Sequence, residues 1–103
     1  MFPPKIRIIN RDYAIRQCES RDDVTPQGDA NGLFYPDKGE IRIWMCSDQQ
    51  QNAQVLLHEI IHAIMFAIGE SELYNDEQFT ERMAVALQCL LRDNDMSFIN
   101  RES

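Results

Sequence analysis

From Val55 to Ile68 the chain is apolar at nearly every position, and the exceptions are His58, Glu59 and His62. A run of this kind that stops at a glycine reads as a helix buried over most of its circumference, with Gly69 supplying the left-handed turn that ends it. Upstream, Ser47-Asp48-Gln49-Gln50 has the form of a capping box, which sets the expected start of the helix at Ser47. A chain of 103 residues is long enough to enclose such a helix without disulfides or a structural metal.

Before Ser47 the period is that of strands. Lys5-Ile6-Arg7-Ile8-Ile9 and Tyr13-Ala14-Ile15-Arg16-Gln17-Cys18 alternate around Asn10-Arg11-Asp12, which predicts a β-hairpin with a polar turn. Glu19 to Asn31 is polar and rich in turn formers, and reads as a mobile surface loop. Gly32 to Tyr35 and Glu40 to Met45 make a second expected hairpin across Pro36-Asp37-Lys38-Gly39. Its second strand places Ile41 and Ile43 on one face and Arg42 and Trp44 on the other. After Gly69 a second long helix is expected from Asn75 or Asp76 to about Arg92. Phe79, Met83, Ala86, Leu87 and Leu90 lie along one side, and Leu91 widens the stripe. The tail, residues 94–103, carries no period and is expected to be irregular. The sum is an α+β chain, one domain over residues 1–103, with a short antiparallel sheet of about four strands followed by two main helices.

Ten Lys and Arg against seventeen Asp and Glu leave a net charge of −7, which repels a phosphate backbone and argues against nucleic acid as a partner. No apolar run is long enough to span a bilayer. Met1-Phe2-Pro3-Pro4-Lys5 lacks the basic region, apolar region and cleavage site of a secretory leader. Cys18, Cys46 and Cys89 are odd in number and widely spaced, which fits reduced thiols in a cytoplasm better than a disulfide framework. The expected location is therefore cytoplasmic, with no membrane partner.

Both histidines of the chain fall in His58-Glu59-Ile60-Ile61-His62. One helical turn apart, the two imidazoles can aim a nitrogen at the same zinc ion, and Glu59 lies beside them, free to contact a water on the metal. This is the H-E-x-x-H arrangement. Two histidines alone on an apolar helix would read as hydrogen-bonded core residues. An ionisable trio in a segment this apolar carries a desolvation cost that a metal or a cleft has to offset. Zinc with an open position needs a third protein ligand. Glu81 lies on the second helix, which would return its carboxylate to the histidines if the two helices are antiparallel. It shares a helix face with Glu77, Gln78, Gln88 and Arg92, which is also what a merely solvated face looks like, so periodicity leaves Glu81, Glu77 and Asp76 all open.

His58-Glu59-Ile60-Ile61-His62 followed after eighteen residues by Glu81 resembles the gluzincin form of the zincin metallopeptidases, in which a glutamate from the next helix completes the site. Two short strand pairs, a strand ending just before the H-E-x-x-H helix, and Glu81-Arg82-Met83-Ala84 leading to Leu90-Leu91-Arg92-Asp93-Asn94 are similar to the minimal zincin-like proteins of phage and prophage genomes, relatives of the ImmA/IrrE-type metallopeptidases. The resemblance covers roughly residues 6 to 94 and is specific in the helical half. It implies that Glu81 is the third zinc ligand. Many gluzincins carry an acidic residue one turn beyond the glutamate ligand to orient a histidine. This chain has Val85 there, so the partners of His58 and His62 must come from elsewhere.

The expected activity is zinc-dependent hydrolysis of a peptide bond. His58, His62 and Glu81 hold Zn2+, and Glu59 is the general base that takes a proton from the zinc-activated water and passes it to the leaving amine. The resemblance also implies a protein or peptide substrate bound as an extra strand, with Glu40 to Met45 as the rim, and a tyrosine donor to the transition state, Tyr74 or Tyr35. The alternative is a zincin-fold module that binds another protein with little or no catalysis, favoured by the small size and disfavoured by Glu59, which would be dispensable there. A purely structural zinc would need a fourth protein ligand, and no cysteine stands at a suitable spacing.

Overall fold

The computed structural model describes residues 2–100, and the chain is an α+β fold. Strands β1 (Lys5–Ile8), β2 (Arg11–Cys18), β3 (Gly32–Tyr35) and β4 (Glu40–Trp44) form one sheet in the order β1-β2-β4-β3. Both hairpins are present and antiparallel, but they join along β2 and β4, which run parallel with Ala14 opposite Glu40 and Cys18 opposite Trp44. The sheet is thus mixed, where an antiparallel one was expected. A parallel neighbour requires a crossover, and Glu19 to Asn31 supplies it by carrying the chain from the end of β2 past β4 to β3.

That crossover is a packed layer, in contrast to the loose loop its composition suggests. It contains a short 3-10 helix, Arg21–Asp23, and Val24 is fully buried. Its backbone is pinned by the face of the sheet that carries Tyr35, Arg42 and Trp44. The Trp44 indole N–H donates to the Glu19 carbonyl at 3.2 Å, the Arg42 guanidinium to the Asp23 carbonyl at 3.2 Å, and the Tyr35 hydroxyl to the Val24 carbonyl. The β1–β2 turn is Ile9 and Asn10, tighter than the expected Asn10-Arg11-Asp12. It holds Ile9 at φ 60, a costly conformation for a β-branched residue.

The opposite face of the sheet carries Tyr13, Ile15, Phe34, Ile41 and Ile43, and α1 (Gln49–Ala67) closes the core over it with Leu56 and Ala63. Asp48, not Ser47, caps α1, because Asp48 is the last extended residue and its side chain accepts from the Gln50 and Gln51 amides. Asn52 then ties the helix to the sheet. It is fully buried, its carbonyl oxygen accepts from the Cys46 amide at 3.0 Å, and its side-chain amide donates to the Cys46 carbonyl at 2.9 Å. Asn52→Ala is expected to lower unfolding free energy by about 2–3 kcal/mol, since it leaves two backbone groups of Cys46 unpaired. Chemical denaturation measures this, and a loss within about 0.5 kcal/mol, the range of a neutral surface change, would show that the clamp contributes little.

Beyond Gly69, at φ 78, the chain forms a four-residue helix the sequence did not suggest, α2 (Ser71–Tyr74), and then α3 (Glu77–Asp93), capped by Asp76. Gln88 on α3 donates to the Gln50 carbonyl at 3.0 Å and Gln54 on α1 to Glu81 at 3.0 Å, which fixes α3 antiparallel to α1. Thr80 and Ala84 are its buried residues, while Met83, Leu90 and Leu91 of the expected apolar stripe are exposed. Small residues at the contact let α3 lie close to α1 with its acidic side turned to the histidines. A 3-10 turn, Ser97–Asn100, follows in the tail, and residues 101–103 of that tail lie outside the described residues. Among the described residues no helix is long and apolar enough to cross a membrane.

Candidate metal centre

His58 and His62 project from one side of α1 with ring centroids 5.0 Å apart. Their Nε2 atoms converge on a single carboxylate: His58 Nε2 is 3.0 Å from Glu77 Oε1, and His62 Nε2 is 3.0 Å from Glu77 Oε2. The ligand atoms of these three residues lie within 4.8 Å of one another, a group that could hold a metal ion. Glu77 reaches this point because it is the first residue of α3, where the helix dipole also favours its charge.

The outer ring nitrogens are engaged elsewhere. His62 Nδ1 lies 2.8 Å from the Tyr74 carbonyl, which only accepts, so Nδ1 carries the hydrogen and donates. His58 Nδ1 lies 3.0 Å from Glu81 Oε1, which also only accepts, so this contact is a hydrogen bond when Nδ1 carries the hydrogen. A neutral imidazole with its hydrogen on Nδ1 presents a lone pair at Nε2. Each lone pair then faces an oxygen of Glu77, acceptor against acceptor. Only a proton or a cation between them satisfies that arrangement, so the donor set fits a bound metal.

The expected third ligand, Glu81, is therefore not at the point where the Nε2 atoms meet. It sits one turn further along α3, on the far nitrogen of His58, with Gln54 holding its other oxygen. Asp76, the other residue left open, is spent as the α3 cap, its carboxylate accepting from the Phe79 amide at 3.0 Å. The Glu81 and Tyr74 contacts are the two histidine partners that the sequence left unnamed.

Glu59 is buried at 6% exposure beside this group. Burial pushes its carboxyl up to about 7, and the Glu77 charge adds to the rise, while His58 and the Phe34 backbone amide pull against it. His58 is lowered by burial but raised more by Glu81, Glu59 and Glu77, so its net shift is upward. Burial raises the Tyr74 phenol, and the charges of Glu59 and Glu77 raise it further.

A cleft of about 560 Å³ opens over these residues, bounded by β3, α1, Tyr74 and the start of α3. Gly32 makes the strand–helix contact possible, because a Cβ there would meet Val55 Cγ1 at 2.7 Å and Glu59 Cγ at 3.3 Å. β4, expected to be the substrate rim, is paired on both sides by β2 and β3 and has no free edge. β3 is the outer strand. The Trp44 amide donates to the Asn31 carbonyl at 2.7 Å, so in this register Leu33 and Tyr35 bond toward β4 while the backbone groups of Gly32 and Phe34 face the open side.

Of the two tyrosines, Tyr74 lines the cleft with its ring centroid 5.4 Å from that of His62. Tyr35 does not. Its side chain lies on the other face of the sheet, with its hydroxyl bound to Val24 and its ring beneath Arg42. Comparison with protein-family models, with curated proteins and with solved structures found no match to this chain.

Proposed function

We propose that the chain is a zinc-dependent metallopeptidase in which His58, His62 and Glu77 are the metal ligands, Glu59 is the general base and Glu81 orients His58. The observation that carries the reading is the convergence of two imidazole lone pairs and one carboxylate on a point beside a buried glutamate in an open cleft. Three ligands of nitrogen and oxygen type leave a fourth position free, which suits a catalytic zinc. Bound zinc would supply a Lewis acid for the scissile carbonyl and an acidified water. Glu59, held near 7 by its burial, takes the proton of the attacking water and returns it to the leaving amine. Glu81 and the Tyr74 carbonyl keep each imidazole in the tautomer that offers Nε2. The substrate is an extended peptide that pairs with the outward-facing backbone of Gly32 and the Phe34 carbonyl, while the Phe34 amide holds Glu59, and Tyr74, which lines the cleft, supplies the hydroxyl donor to the reacting carbonyl.

Elemental analysis of protein supplied with zinc is expected to give one zinc per chain, lost to a chelator and absent from His62→Ala. The zinc-loaded protein is expected to cleave members of a mixed peptide library, and the chelated protein none. Failure of the wild type to take up zinc would overturn the metal site. Full uptake with no peptide cleaved would overturn the hydrolase reading in favour of a protein-binding module.

A further inference from the structure

Two apolar features lie at opposite ends of the α1–α3 pair. Where α1 stops, a cavity of about 340 Å³ is lined by Met65, Phe66, Gly69, Ser71 and Tyr74. Phe66 is 46% exposed there, and its ring centroid stands 5.8 Å from that of Tyr74, so aromatic rings make two of the walls. The wall at Gly69 is open, with nothing within 4 Å of the place a Cβ would take. At the other end, past the last residue of α3, the 3-10 turn Ser97–Asn100 holds Phe98 and Ile99 at 59% and 63% exposure. An aromatic side chain seated in a pocket is the usual anchor of a protein interface, and this chain carries both halves of such a contact.

The chain cannot join the two halves itself. Gln88 of α3 is bonded to Gln50 near the start of α1. Phe66 lies sixteen residues along α1 from Gln50, about 24 Å, and Asp93 lies five residues, about 7 Å, past Gln88 in the opposite direction. The five residues from Asp93 to Phe98 span at most about 18 Å when fully extended, well short of the roughly 31 Å between the ends. In a second copy turned end for end the same separation becomes a fit, because each copy sets its tail over the other's cavity. Such a two-fold pairing closes on itself and uses each feature once per copy. Between the ends, the exposed Met83 and Leu90 are seven residues apart and so share one side of α3. At about 100° per residue Met83 stands nearly opposite Glu81, which faces His58, so the cleft over the histidines stays open. A stable dimer takes about 800 Å² from each copy, and a strip roughly 31 Å long reaches that at about 26 Å, little over two helix diameters. We infer that the chain forms a two-fold dimer with a second copy of itself, antiparallel along α3, in which Phe98 and Ile99 of each copy fill the cavity at Phe66, Ser71 and Tyr74 of the other. Each copy carries a charge of −7, so repulsion opposes the pairing and salt, which screens it, strengthens the dimer.

Sedimentation of the full chain over a range of concentrations tests this. A mass of twice the 12.0 kDa chain is expected at the higher concentrations, with tighter association in about 1 M than in about 0.05 M sodium chloride. Phe98→Asp and Ser71→Trp alter exposed positions on opposite sides of the contact, the first putting a charge in the cavity and the second filling it. Each is expected to weaken the dimer at least about a hundredfold while keeping the unfolding midpoint of the monomeric wild type. In a sample mixed from isotope-labelled and unlabelled chains, nuclear magnetic resonance is expected to place the Phe98 ring of one copy against the Met65 methyl of the other. A single-chain mass up to about millimolar concentration would overturn the dimer. So would a dimer that keeps its affinity in both variants, loosens as salt rises, or gives no Phe98–Met65 contact between copies. Masses that grow beyond two chains would mark a contact that does not close, and would overturn the two-fold arrangement.

Discussion

Glu77→Ala is expected to abolish the stabilisation that zinc gives this protein, and Glu81→Ala to weaken it only in part. A ligand that binds the folded chain alone stabilises it by about 4.1 kcal/mol at a thousandfold excess over its dissociation constant. Loss of a carboxylate that orients a metal-bound histidine typically costs about 10–100-fold in affinity, so Glu81→Ala should forfeit about 1.4–2.7 kcal/mol and retain a measurable zinc response. Removing one of three ligands costs more, on the order of a thousandfold, which leaves almost nothing of the response. The comparison has to be made within each variant, with and without zinc. Glu77 contacts both histidines directly, and its removal shifts the baseline as well. Thermal unfolding with matched zinc titrations reads both quantities. If Glu81→Ala loses the response and Glu77→Ala keeps it, the assignment is reversed by one helical turn.

That turn was nearly legible in the sequence. Glu77 and Glu81 are one turn apart, the spacing of a ligand and the acidic residue that orients a histidine. Under the proposed reading Glu77 is the ligand and Glu81 the orienting carboxylate, which leaves no role for an acidic residue at Val85. What hid it was the rotation of α3. The eye follows Phe79, Met83 and Leu90 as the packing stripe, yet α3 meets α1 through Thr80 and Ala84, small residues whose contact is set by closeness and not by apolar area. Strand patterns behaved in a similar way. The alternation of Ile41 and Ile43 against Arg42 and Trp44 marked which face is buried, but alternation does not name a neighbour, so the parallel β2–β4 pair could not be read. The crossover and α2 were missed because they act through main-chain carbonyls, those of Glu19, Asp23, Val24 and Tyr74, and a carbonyl has no letter in the sequence. The helix with His58, Glu59 and His62, its stop at Gly69 and the start of α3 were legible. Each rests on a local rule whose residues lie within a turn of one another.

Glu59→Gln separates chemistry from assembly. The carboxylate of Glu59 is not among the converging ligand atoms, and the amide has the same size and keeps an oxygen to accept from the Phe34 backbone amide. Zinc content and unfolding midpoint in zinc are therefore expected to match the wild type. Hydrolysis is not. The amide cannot take a proton from the attacking water or return one to the leaving amine, and loss of a positioned general base costs about a hundredfold to ten-thousandfold. The loss should fall on kcat with KM little changed, since the amide keeps its bond from the Phe34 backbone and leaves the β3 groups that pair with the peptide as they are. Glu59→Asp supplies the internal check, because it restores a base on a chain one methylene shorter and should recover part of the rate. Peptide assays at saturating zinc measure all three proteins side by side. A Glu59→Gln protein that turns over peptide within a few fold of the wild type would remove Glu59 from the reaction, whatever the metal content shows.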